Sequence, residues 1–396
     1  MNKLSSLNLN DFSIVSGGPF YNLIARLRLV EKGSQHAVRR AVFFVLITWV
    51  PLLILSMLQG VAIGSTVKIP FLYDFAASVR FLIAGPLLIL AEIVIDPRLR
   101  VIVNHFISSG LVKKEDLPGF ESAVKEVSKL RDFAPVEVVL LAIIIIYSLS
   151  GLRVESVSGD ISTWHSLTSG SDQRLTFAGW WFIVVSQPLF QFLILRWLWK
   201  LCIWARFLWR ISRLNLNLIP THPDMAGGLG FLGSGQAQFG IIVLSLSIIL
   251  TAAIGGKIVF GGETLSSYKV IIIAYIVLQL VIFLGPLLVF SPLLLRAKRR
   301  GLLEYGVLAM EYTRSFDNKW IRGKAPDGET LLGSSDIQSL ADLANSYQVV
   351  SKMGAFPFNR SSIFFILAAA AIPMFPLLLT VISPEQILLN IFNLLL

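Results

Sequence analysis

Cysteine is almost missing from this chain: Cys202 stands alone among 396 residues, which excludes an internal disulfide. Histidine is scarce as well. His36, His105, His165 and His222 are scattered without the spacing that metal ligands need. No serine sits in a nucleophile-elbow pattern, and Cys202, with no base beside it, reads as a small apolar packing residue. Charge is thin too, at 15% of residues, where ordinary soluble domains carry about a quarter. Alternating segments of about ten residues, the mark of a transmembrane β-barrel, do not occur. No signal peptide is expected, because the first apolar run begins only near Ala41 and lacks a small-residue cleavage site.

What remains is apolar, at 55% of positions. These residues form runs of roughly 18–25, the length a helix needs to cross a ~30 Å hydrocarbon core. Seven spans follow, near 41–60, 77–95, 134–152, 177–199, 237–256, 269–295 and 362–382. The second is the weakest, interrupted by Arg80 and Glu92. The expected fold is therefore all-α, a polytopic transmembrane bundle of about seven spans. Residues 1–40 form an N-terminal segment whose stretch 19–32 reads as an amphipathic interfacial helix. Residues 41–295 form a six-span region with a loop at 97–133 holding two modest helices. Residues 296–361 form a second helical segment, and 362–396 hold the seventh span and a tail.

The net charge of +10 lies beside the apolar runs, so anionic lipid headgroups are the expected partner and nucleic acid is not. The segments before span one and after spans two, four and six hold 28 Lys or Arg, whereas the opposite loops hold only Lys68, Arg153, Arg174, Lys257 and Lys269. The crowded side is expected to be cytoplasmic, with the N-terminus inside and the C-terminus outside.

Between spans four and five lies IPTHPDMAGGLGFLGSG, with His222 between two prolines, Asp224, and glycines that include Gly227, Gly228 and Gly230. Glycine-rich backbone can aim several N–H groups at an anion, and His222 with Asp224 can hold a metal or relay a proton. A tight turn at which helices pack closely accounts for the same residues. If packing alone explains the turn, Asp224→Asn should be tolerated; if charge is used, it should not. The string fits no phosphate-loop, dinucleotide or zinc-protease pattern, and no cofactor is expected. Together with RWLWKLCIWARFLWR and DIQSLADLANSYQVV, PTHPDMAGGLGFL resembles a family of uncharacterised multi-pass bacterial inner-membrane proteins. The resemblance implies a bacterial inner-membrane location and carries no activity.

Ionisable groups inside spans are costly and mark function or specific pairing. Glu92, Glu137 and Arg196 fall at one depth near the inner side, where they can form an ion-pair cluster or snorkel to headgroups. Gln187 and Gln191 lie four apart around Pro188, and Gln279 lies near the centre of span six. Such amides serve either a mid-bilayer substrate site or as glue between helices. Spans two, four and six each carry a proline, at 86, 188 and 286, which suggests repeated helical hairpins. The leading functional expectation is a channel or transporter for a small solute, an anion before a cation. In it Arg80 guards the outer end, Gln187, Gln191 and Gln279 line the middle, and the His222–Asp224 loop gates the inner end. A scaffold that docks a partner, or assembles with copies of itself, is the alternative, and a membrane-embedded lipid-modifying enzyme is the third.

Overall fold

The computed structural model describes residues 12–26, 34–155, 163–169, 172–323, 325–326 and 329–380. The N-terminal tip, the second half of the expected interfacial helix and the C-terminal tail lie outside them. The fold is an α-helical membrane bundle. Helix α1 is Pro19–Arg26; α2, His36–Leu58, and α3, Phe75–Ser108, are the first two membrane-length helices. The shorter α4, Leu117–Arg131, is followed by α5, Ala134–Glu155. Then come α6, Phe177–Ile211, α7, Phe231–Gly261, and α8, Leu265–Ile321. Helix α9, Ser335–Lys352, precedes the last span, α10, Arg360–Leu378. One antiparallel hairpin, β1 (Ser166–Ser169) with β2 (Asp172–Leu175), caps the loop between α5 and α6.

Helix α3 occupies the centre and packs on α2, α6 and α7. Helix α6 in turn meets α4, α5 and the 285–290 stretch of α8, while α10 closes against α7 and α8. Small residues set the approach distances, as expected where van der Waals packing replaces the hydrophobic effect. A methyl group at Gly85 would collide with the ring of Phe44, so α2 and α3 could not sit this close with alanine there.

Helix α3 runs unbroken through Pro97, where a chain break and a separate loop helix were expected. Proline removes one helical hydrogen bond, but Leu99, Ile102, Val103 and Phe106 beyond it are all buried. Their packing outweighs the lost bond. The basic cluster 296–300 likewise ends no helix: α8 continues for 57 residues in all.

The prolines of spans two and four share one local geometry. Arg80–Ala84 and Phe182–Ser186 are five-residue π turns, each ending just before the Gly85–Pro86 or Gln187–Pro188 pair. A π turn shifts the carbonyls by one residue and relieves the clash of the proline ring with the preceding turn. Pro286 of α8 instead opens a 3-10 stretch, Gly285–Phe290. The repeated geometry thus extends to two helices of the three.

Candidate functional site

The two π turns face each other, and Arg80 links them. Its Nη1 donates to Gln187 Oε1 at 2.6 Å, and its guanidinium lies 5.9 Å from the centre of the Phe190 ring. Among the described residues no carboxylate comes within ion-pair distance of Arg80. Gln191, one turn beyond Gln187, keeps its Oε1 buried with no protein partner. Gln279 is also buried, its Oε1 equally unpartnered, in a cavity of about 90 Å³ walled by Leu88, Trp197, Leu246 and Phe283 among others. Neither Gln187 nor Gln191 lines that cavity. The expected row of three amides is therefore one amide bound to Arg80, one beside it, and one apart.

A second polar centre lies toward the basic end of the bundle. Glu92 accepts from Lys200 Nζ at 2.7 Å through one oxygen and from Arg40 Nη1 at 2.6 Å through the other. Arg196 approaches Glu137 at 3.8 Å and stacks over the Phe20 ring at 4.8 Å. Glu137 also accepts from the backbone N–H of Phe20, which ties α1 to α5. Of Glu92, Glu137 and Arg196, expected at one depth, Arg196 thus pairs with Glu137, whereas Glu92 pairs with Arg40 and Lys200. Neither Arg40 nor Lys200 is among the residues that the sequence singles out. The spacing of four between Arg196 and Lys200 was the available signal. Next to these pairs, Asp96 accepts from Ser13 Oγ at 2.8 Å and from the Ile14 N–H at 3.1 Å, and pairs with Arg100.

The glycine-rich loop does gather N–H groups around an anion, and that anion is Asp224. Its Oδ1 accepts from the N–H of Ala226 at 2.8 Å and of Gly228 at 3.1 Å, and its Oδ2 from that of Gly230 at 2.8 Å. His222 Nδ1 lies 2.8 Å from Oδ1. Partial burial pushes the carboxyl upward, but the three N–H groups and His222 together hold it below the ordinary aspartate value. Gly227 and Gly228, at φ +63° and +95°, supply the left-handed backbone that folds the loop around the carboxylate. The loop also binds its surroundings: Gly354 N–H donates to Met225 O at 2.7 Å. No group of three metal-ligand side chains forms there or elsewhere among the described residues.

Comparison of the chain with family models, with curated proteins and with solved structures returns no match.

Proposed function

We propose that the protein moves a small anion across the membrane, with Arg80 and Gln187 at its recognition point and the basic end of the bundle facing the cytoplasm. One observation supports this reading above the others: Arg80 sits within an apolar helix, and among the described residues its hydrogen bond goes to a neutral amide. Charge placed inside a span is costly and is kept where it is used. With no described carboxylate at ion-pair distance, and Asp74 attracting it only from farther off, the guanidinium leaves donors free for a ligand. The paired π turns add to the case, because such interruptions recur at functional sites. Transport in this reading passes Gln191, whose buried Oε1 would find a partner in a hydrated path.

The experiment is reconstitution of the purified protein in neutral-lipid vesicles with chloride, nitrate and a short carboxylate as probes. Flux should be anion-selective. Arg80→Gln should reduce it about tenfold or more, the factor that ~1.4 kcal/mol of lost attraction produces. Cation-selective flux, or anion flux unchanged by Arg80→Gln, would exclude this site.

A second reading, a membrane scaffold that docks a partner, is favoured by a different observation. Past the basic cluster, α8 exposes Leu303, Val307 and Met310 along one face, at a spacing that aligns them on a helix. Vesicles with no flux for any probe, together with a co-purifying protein lost on Leu303→Glu, would favour it.

A further inference from the structure

Where α6 ends beside α8, the molecule has a cleft of about 560 Å³ lined by Trp209, Arg213, Val289, Pro292, Leu293 and Arg296, among others. Its two sides differ in character. Val289, Pro292 and Leu293 belong to the apolar part of α8, just before the basic cluster that starts at Arg296. Arg213 and Arg296 bring positive charge to the same opening.

These two arginines, one just past the end of α6 and one on α8, differ from the cations of α6 itself. Arg196 approaches Glu137, Lys200 pairs with Glu92, and both Arg206 and Arg210 pair with Glu126. Arg213 pairs with no carboxylate among the described residues; its guanidinium lies 5.2 Å from the Trp209 ring centre. Arg296 uses its Nε on the Pro292 carbonyl of its own helix, at 3.2 Å, and has no acid partner among the described residues. One arginine over an indole, a second lining the same opening, and an apolar wall match a phosphodiester attached to hydrocarbon. Guanidinium groups bind phosphate oxygens in a bidentate fork, tryptophan prefers the headgroup layer, and basic pockets between spans bind anionic headgroups.

We propose that this cleft is a binding site for an anionic glycerophospholipid, its phosphate held by Arg213 and Arg296 and its acyl chain laid along Val289 and Leu293. The same charge would attract free phosphate, but a soluble ion has no use for the apolar wall. The site is separate from Arg80, so its fate and that of the transport reading are independent.

The test uses the full chain in detergent, loaded with dioleoylphosphatidylglycerol or dioleoylphosphatidylcholine and read by native mass spectrometry. The wild type should retain phosphatidylglycerol preferentially. Arg213→Ala/Arg296→Ala should lose that retention roughly tenfold or more, at the usual worth of two interfacial arginines, with phosphatidylcholine unchanged. Arg299→Ala/Arg314→Ala removes equal charge from the exposed face of α8 and should leave retention intact. Brominated phosphatidylglycerol should quench a fluorescence component that Trp209→Phe abolishes. Equal loss in both double variants, retention in both, or displacement by millimolar inorganic phosphate would each overturn the lipid assignment.

Discussion

Helices α3 and α6 each begin with a capping side chain that accepts from the backbone three residues on, Asp74 from Ala77 and Thr176 from Gly179. Each continues through a π turn to a proline and then descends far toward the basic end. The matching positions keep one interval, 74 to 176, 80 to 182 and 86 to 188. Their chemistry differs throughout. Helix α3 supplies Arg80, Glu92 and Asp96, whereas α6 supplies Gln187, Arg196 and Lys200. The polar partners meet across the pair, Arg80 with Gln187 and Lys200 with Glu92. Like backbones thus carry unlike side chains, and each helix completes the groups that the other leaves open.

The strongest way to break this complementarity is to remove one half of the buried pair. Glu92→Gln should cost about 3–5 kcal/mol, because it leaves Lys200 and Arg40 without their carboxylate; Lys200→Met should cost less, because Arg40 still pairs with Glu92, and the double variant should cost less than the two summed. Thermal unfolding in detergent supplies the cycle; simple additivity would mean that the pair does not hold α3 to α6.

Asp224 offers a sharper contrast, since its carboxylate is completed by its own loop and not by a second helix. Asn at this position would turn an NH₂ donor toward a backbone N–H. Asp224→Asn should therefore destabilise the protein by about 1–3 kcal/mol, in contrast to the tolerance expected of a turn that serves packing alone. The sign with pH follows from the depressed carboxyl. Its contribution is complete above the ordinary aspartate range near about 4, and falls away as pH drops below it. Unfolding curves from pH 7 downward should lose this acid-sensitive component in Asp224→Asn; curves that run parallel would remove the carboxylate from the account.

The caps give the smallest effects. Asp74→Ala and Thr176→Ala should each cost about 0.5–2 kcal/mol. Both should fall at the upper end, because each also bonds Trp164: the second oxygen of Asp74 accepts from its Nε1 at 2.9 Å, and the Thr176 hydroxyl donates to its carbonyl at 2.8 Å. Losses at the lower end, measured by chemical denaturation, would show that the Trp164 bonds add nothing.

The apolar runs made the bundle legible before any coordinates, since crossing a bilayer imposes a length that few other folds require. Shared depth pointed to the Arg196–Glu137 pair, but not to the partners of Glu92. Arg40 and Lys200 were hidden because depth says nothing of azimuth. A cation at a span end faces headgroups or a carboxylate according to how the helix is rotated, which packing decides. Pro97 misled for a related reason: its local preference is to end a helix, and the buried residues after it prevail. In the glycine loop the need for an anion was visible, whereas its supply by the same loop depends on left-handed turns at Gly227 and Gly228 that no spacing announces.

The continuity of α8 has a mechanical meaning. From Pro292 to Ile321 the helix projects by about 45 Å at 1.5 Å per residue, stiffened along its side by α9. A rod of that length is a lever arm. Tilting its root by roughly 5° sweeps its tip through about 4 Å on the same dimensions, so a displacement too slight to disturb packing inside the bilayer becomes a shift as wide as a side chain at the far end.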